Sequence, residues 1–250
     1  MNVPNNFGKL SKAYVKGRRG YPKELFDYLH SFTKIKKPLT LDIGCGTGIS
    51  TRELKKHGFQ TSGADKDKAM IETAKTSSKG ITYIAAPANE LPFPSEYFDL
   101  VTAFTSFHWF EDKKSIEEIK RVLKPGGIFF AALKQTRQSM NRDDFYENYK
   151  SILRKYAGKY FNSARNYEPR DSLTKYRFKK IKENTFYLDE KYSIKEALVL
   201  IQSLSFWHMV PKPKRPNMLK ELYDLYKRYS TGGKLTIHRE VITTLGIKTK

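Results

Sequence analysis

The chain of 250 residues has one cysteine, Cys45. A single thiol cannot build a disulfide framework or a cysteine metal site, so a reducing interior, the cytoplasm, is the expected compartment and no metal is expected. No apolar run approaches the roughly 18 residues that a membrane span needs, and the N-terminus has no apolar signal core, so no membrane partner is expected. Acids are scarce against bases: 26 Asp and Glu face 47 Lys and Arg, a net charge of +21. The first acid is Glu24, after Lys9, Lys12, Lys16, Arg18 and Arg19, a faint likeness to an organellar transit peptide. Residues 1–135 hold 22 basic and 14 acidic side chains and the rest 25 and 12, so the excess is spread along the chain. Such a charge suits an anionic partner, whether nucleic acid, acidic membrane, or a carboxylate or phosphate substrate; a lysine-rich composition alone gives the same balance.

What is present is enough for a folded core: 39% hydrophobic residues, 14% of all residues being aromatic. Leu25, Phe26, Leu29 and Phe32 share one face of a helix over 22–33, with Tyr21-Pro22 at its start and Pro at an early helical position. Short strands are expected at 40–43, 59–64, 81–85, 98–104 and 128–133. Between them lie helices over 49–57 and from Asp67 to Lys75, and a stripe of Ile116, Ile119, Val122 and Leu123 that stops at Pro125-Gly126-Gly127. This alternation predicts an α/β fold, a parallel sheet with helices on both faces. After Leu133 the rhythm changes to helices over 143–156, 194–204 and 219–229, with strand character at 178–188 and 235–247. We read this part as the last sheet strands plus a helical cap.

Residues 41–48 read LDIGCGTG. A strand that ends in Asp and Gly-x-Gly-x-Gly and then enters a helix lets a ligand approach the backbone closely. Asp65, at the end of the next strand, could accept from two ribose hydroxyls. The dinucleotide fingerprint needs one more residue between its last two glycines, where this chain has Ile49, and a phosphate loop would need G-K-[ST]. Tyr146 and Lys150 have a dehydrogenase-like Y-x-x-x-K spacing, but on so lysine-rich a chain with this loop we read it as coincidence.

LDIGCGTG, GADKDKAM (63–70), ELPFPSEYFDLVTA (90–103) and IKRVLKPGG (119–127) follow in order and together closely resemble the class I S-adenosylmethionine-dependent methyltransferases over residues 38–133. The resemblance implies a doubly wound, mostly parallel seven-stranded Rossmann-like sheet in a single domain over 1–250, with a lid at 1–22, a cofactor core at 38–133, and cap and last strands at 134–234. It implies S-adenosyl-L-methionine as cofactor and S-adenosyl-L-homocysteine as product. The cofactor positions it matches are Asp42, Gly44, Cys45, Gly46 and Gly48 in the loop, Asp65 and Lys66 at the ribose, Met70, Ala88 and Asn89 near the adenine, and Phe104 at the end of the fourth strand. Relatives often carry an Asp where this chain has Pro87, so Asn89 or backbone must serve the adenine.

Methyl transfer needs positioning and desolvation above all, and a base only where the acceptor loses a proton, so sequence says little of the acceptor. The turn after the fourth strand lacks the [DN]-P-P-[YF] of amino-methylating enzymes, and C5-pyrimidine chemistry would need a second cysteine. FHWF (107–110), YVKGRRGYP (14–22) and SLSFWH (203–208) resemble the small-molecule subgroup related to trans-aconitate methyltransferases. That resemblance implies Tyr14 and Arg19 toward the cofactor carboxylate or an anionic substrate, and His108 orienting or deprotonating the acceptor. It also implies Arg18, Trp109, Ser203, Trp207 and His208 around a small anionic substrate. Methylation of a nucleic acid such as tRNA, for which no recognition module is visible, and cofactor binding without catalysis stand as alternatives.

Overall fold

The computed structural model describes residues 17–137, 144–158 and 168–249, without the side chains of Ser205 and His208. Among them lie seven strands and eight α-helices. The strands are β1 (Leu39–Ile43), β2 (Gln60–Asp65), β3 (Thr82–Ala85), β4 (Phe98–Phe104), β5 (Leu123–Thr136), β6 (Lys179–Ser193) and β7 (Lys234–Ile247). The helices are α1 (Lys23–Thr33), α2 (Ile49–Lys56), α3 (Lys68–Thr76), α4 (Lys113–Val122), α5 (Asp144–Ala157), α6 (Pro169–Lys175), α7 (Ile194–Gln202) and α8 (Arg215–Tyr229). No helix of the described residues is long and apolar enough to cross a membrane.

The sheet order is β3-β2-β1-β4-β5-β7-β6. β1 pairs in parallel with β2 and β4, β2 with β3, and β4 with β5. The doubly wound class expected from the sequence is therefore present. The order reverses between β1 and β4, and such a switch point opens a crevice at the carboxyl ends of the strands.

The chain divides into two compact units. The first holds 20–134, 167–187 and 240–250; the second holds 1–19, 135–166 and 188–239. In the first unit the inward faces of β1, β4 and β5 (Leu41, Ile43, Val101, Ala103, Phe129, Ala131) pack with Ile116, Ile119 and Val122 of α4. The helix stops and starts follow local chemistry. The Asp67 carboxylate accepts from the backbone N–H of Ala69 and Met70 and so caps α3. Asp112 caps α4 in the same way through Ser115. Pro22 stands at the N-cap of α1, one residue before the position expected of it. β5 begins earlier than the sequence suggested, at Leu123, because Phe98 pairs Leu123 while Leu100 pairs Ile128. The Pro125-Gly126-Gly127 turn is thus an irregularity within the strand, and Gly126 supplies the positive φ of 77°.

In the second unit α5 and α7 both pack on α8, around Leu153, Tyr192, Leu200, Ile201, Met218, Leu222 and Tyr226. A capping box of Ser193 and Glu196 opens α7, and Pro216 lies in the first turn of α8.

Candidate active site

The loop after β1 is built by three glycines in the left-handed region, with φ of 66° at Gly44, 53° at Gly46 and 77° at Gly48. They do different jobs. A Cβ at Gly44 would fall 2.6 Å from the Cβ of Ser106, and one at Gly48 would run into the Tyr83 hydroxyl. Gly44 and Gly48 are therefore required by packing. A Cβ at Gly46 would meet nothing within 4 Å: this backbone faces open space.

Asp65, at the end of β2, ties the loop down. One carboxylate oxygen accepts from the N–H of Gly46 at 2.8 Å and the other from the N–H of Asp67 at 2.9 Å. Burial raises its pKa above the usual carboxylate value, against the pull of those two N–H donors. Each oxygen keeps a lone pair beyond its backbone bond, beside the open backbone of Gly46.

Asp42 departs from the ligand role expected of it. It is fully buried, and its carboxylate accepts from Ser50 and Thr51 at 2.7 Å each and from Thr102 at 3.0 Å. The side chain thus braces β1 against α2 and β4. Burial, winning over the three hydroxyl donors, pushes its pKa up to about 6. Cys45 departs likewise: its side chain is buried with Ile71, Ala74 and Tyr83, and burial pushes the thiol up, so only its backbone is left for a ligand. Met70 is core, 2% exposed. Lys66 and Asn89 are exposed and Ala88 is partly buried against the core.

On the other side of the switch point, Phe104 is also core rather than contact. Its ring lies 4.7 Å from that of Tyr21 and 5.9 Å from that of Phe130. The chain then turns sharply. Thr105 takes φ of 52°, a strained value for a β-branched residue, and its hydroxyl is shared by the Tyr21 hydroxyl at 3.1 Å and the Lys134 N–H at 3.2 Å. The Ser106 hydroxyl donates to the Ile43 carbonyl at 2.9 Å, stitching this turn to the end of β1. Phe107 is buried, while His108 is partly exposed and Trp109 exposed, their rings 5.0 Å apart. Sequence reasoning missed Thr105, Ser106, Tyr83 and Lys134. Their importance lies in backbone strain and close packing, which residue type does not announce.

Of the positions expected in the second unit, Tyr14 lies outside the described residues, as does the side chain of His208. Arg19 donates to Glu196 at 2.6 Å and its guanidinium lies 5.0 Å from the centre of the Tyr192 ring. The backbone N–H of Ser193 and then Arg19 pull Glu196 down to about 2. Arg18 donates to Ser203 at 3.3 Å, and the hydroxyl of Ser203, which is fully buried, donates in turn to the Leu200 carbonyl at 2.6 Å. Ser203 therefore positions Arg18 rather than facing a substrate. Trp207 corrects its expectation too: it is 7% exposed, in the hydrophobic core, with Arg215 over its ring at 5.1 Å. No group of His, Cys, Asp and Glu that could hold a metal occurs among the described residues.

An open glycine backbone and an acid at the end of the next strand lie at a switch point, a geometry that suits a nucleoside. Residues 41–131 match the methyltransferase domain family, and together with the relatives below this supports an S-adenosylmethionine-dependent methyltransferase. It is 27% identical over 233 residues to a protein of Dictyostelium discoideum named as a methyltransferase, covering 91% of this chain and 87% of that one. It is 40% identical over 101 residues to the mitochondrial arginine-hydroxylase NDUFAF5 of Rattus norvegicus, covering 38% of this chain and 29% of the relative. Among solved structures, a type II methyltransferase of Anaeromyxobacter dehalogenans superposes with a TM-score of 0.66 at 20% identity, covering 93% of this chain and 97% of that one. A phosphoethanolamine N-methyltransferase of Haemonchus contortus, solved with S-adenosylhomocysteine, gives a TM-score of 0.55 at 18% identity, covering all of this chain (100%) and 61% of that one.

Proposed function

We propose that this enzyme methylates a small anionic molecule, in the manner of the trans-aconitate methyltransferase subgroup, and that the product is a carboxylate ester. The observation that carries the reading is the turn after β4. A strained Thr105 and a tethered Ser106 present a partly exposed His108 and an exposed Trp109, aromatic walls of the kind that enclose a small acceptor.

The residues present fit the cofactor. The bare backbone of Gly46 is a cradle that a Cβ would fill, and the free lone pairs of Asp65 suit two ribose hydroxyls. Thr47 supports this: its hydroxyl oxygen is buried in the loop with no partner among the described residues. Gly44 to Gly48 would hold the amino-acid part, Asp65 the ribose, and Ala88 and Asn89 the adenine edge, with Lys66 beside them. When bound, the cofactor supplies an electrophilic methyl on a sulfonium centre. The chain's contribution is then geometric. Trp109 excludes water, and His108 orients the acceptor oxygen toward the methyl. A carboxylate is already ionised at neutral pH, so His108 need not remove a proton; it would act as base only for a hydroxyl acceptor.

The test supplies S-adenosylmethionine with a labelled methyl group to the purified enzyme, together with a panel of small mono-, di- and tricarboxylates, bulk tRNA, DNA and a protein extract. Label in a small, base-labile ester is the expected result. Label retained on tRNA or protein, with none in the carboxylates, overturns the reading.

A further inference from the structure

The turn after β4 is held in part by Tyr21, which the sequence offered only as the start of a helix. Thr105 takes φ of 52°, where a β-branched side chain costs free energy and persists only when its surroundings fix it. Its N–H donates to the Ala132 carbonyl at 2.6 Å. Its hydroxyl accepts from the Lys134 N–H at 3.2 Å and shares a hydrogen bond of 3.1 Å with the Tyr21 hydroxyl. Tyr21 is itself well placed. Its ring lies 4.7 Å from that of Phe104, and the Lys134 ammonium sits 5.0 Å from the ring centre while donating to the Gly20 carbonyl at 2.8 Å. The far end of the turn is pinned as well, by the Ser172 hydroxyl donating to Glu111 and by the Asp112 cap of α4.

The same turn is one wall of the glycine loop. Ser106 donates to the Ile43 carbonyl at 2.9 Å, and a Cβ at Gly44 would fall 2.6 Å from the Ser106 Cβ and 3.2 Å from the Phe110 ring. Toward β2 the loop has a second support: the N–H groups of Gly44 and Cys45 donate to the Ala64 carbonyl, and that of Gly46 to Asp65. Because β1 lies between β2 and β4 in the sheet, the loop that follows it stands between these two supports. All of these residues belong to the first compact unit. Contacts therefore run without a break from Tyr21 through Thr105 and Ser106 to Gly44.

We infer that Tyr21 is a positioning residue for the cofactor: its hydroxyl holds Thr105 in the left-handed conformation, and the turn so fixed keeps Ser106 and Phe110 against Gly44 and the loop in the shape that receives S-adenosylmethionine. This rests on the placement of the cofactor at the loop and not on the identity of the acceptor. Loss of the hydroxyl removes no contact with the ligand. It lowers the fraction of molecules whose loop is competent to bind, and the apparent affinity falls with that fraction. One neutral hydrogen bond shifts such an equilibrium by about threefold to tenfold.

Calorimetry on the full chain with S-adenosylhomocysteine tests this without any methyl transfer. Tyr21→Phe keeps the ring against Phe104 and deletes the hydroxyl, and should bind about threefold to tenfold more weakly. Thr105→Val tests the same bond from the other side: it keeps the β-branch and its strain, removes the hydroxyl, and should lose at least as much. Thr105→Gly takes the left-handed conformation without strain, so in that background Tyr21→Phe should cost no further affinity. Acrylamide quenching gives a second readout. Trp109 on the turn is exposed and Trp207 is buried, so a loosened turn in Tyr21→Phe should raise the quenching of the exposed tryptophan. Parental affinity in both Tyr21→Phe and Thr105→Val overturns the inference, as does an equal loss from Tyr21→Phe with threonine or glycine at 105. Stability lost in Tyr21→Phe with affinity and quenching unchanged would make the hydroxyl structural only and overturns it too. Gly46→Ala is the control for the placement of the ligand. If it binds as the parent does, that placement has failed; if it loses affinity while Tyr21→Phe does not, the placement stands and this inference alone falls.

Discussion

Gly44 and Gly46 lie two residues apart in one loop, both in the left-handed region, yet the structure predicts opposite consequences for alanine at each. The backbone cost is shared: φ of 66° and 53° places a Cβ in the disfavoured region, about 1–2 kcal/mol at either position. What differs is space. At Gly44 the new methyl falls 2.6 Å from the Ser106 Cβ and 3.2 Å from the Phe110 ring. Ser106 cannot retreat without breaking its bond to the Ile43 carbonyl. Overpacking of this sort adds about 1–3 kcal/mol, so Gly44→Ala should lose roughly 2–5 kcal/mol of stability in total. At Gly46 the methyl meets nothing within 4 Å, so only the backbone cost remains. Binding should reverse the ranking. The space over Gly46 is where the cofactor approaches the backbone, and Gly46→Ala should weaken S-adenosylhomocysteine by at least about 100-fold, close to 2.7 kcal/mol. Urea denaturation of both variants without ligand, and calorimetry with S-adenosylhomocysteine, separate the two effects. An unchanged dissociation constant for Gly46→Ala would refute the placement of the ligand. Equal stability loss in both variants would refute the packing argument.

Three further outcomes are expected. Asp65→Ala should weaken S-adenosylmethionine by roughly 1.5–3 kcal/mol, the range for hydrogen bonds to a charged group; calorimetry that finds parental affinity would rule out ribose at Asp65. Asp42→Asn should change the pH dependence of stability. The Asp42 pKa stands at about 6 against 3.8 for the free group, so the native state holds this proton more tightly than the unfolded chain. Its contribution to stability is full below pH 3.8 and is lost as pH rises through about 6, on the order of 3 kcal/mol in all. The difference in unfolding free energy, parent minus variant, should therefore fall between pH 4 and 7, and a flat difference would contradict it. Finally, despite the charge of +21, binding to bulk RNA or DNA should be weak and lost at moderate salt; retention of a specific RNA at physiological ionic strength would reopen the nucleic-acid alternative.

The cofactor half of the molecule was legible because it is local. The glycine loop and Asp65 sit within one strand–helix–strand unit, residues 39–65, and the Asp65 carboxylate accepts from the Gly46 N–H of the loop. The helices were legible through caps and apolar stripes that lie within a few residues of one another, as at Asp67 and Asp112. Where the structure qualifies the reading of this half, it does so on side-chain direction. Asp42, Cys45 and Phe104 are suited in chemistry to a ligand, but each side chain points into packing. For Asp42 the deciding partners, Ser50, Thr51 and Thr102, come from two other elements. A strand alternates its faces, so a residue at the rim of a site and one that braces it differ by one position, and motif spacing does not tell them apart.

The second unit was hardly legible, because its contacts join residues far apart in the chain. Arg18 and Arg19 fall in a segment that the resemblance singled out, yet their partners Ser203 and Glu196 lie 185 and 177 residues on. Thr136, Glu190 and Arg239 belong to no motif, and only the tertiary fold brings them together. The overall charge pointed toward an anion but could not say where one binds, because most of that charge is solvated surface. Charge of that kind steers an anion and is screened by salt, whereas affinity comes from the few groups that touch it. Neutralising several exposed lysines should therefore shift the salt dependence of acceptor association and leave the affinity at physiological ionic strength nearly unchanged; a large loss of affinity there would refute this division.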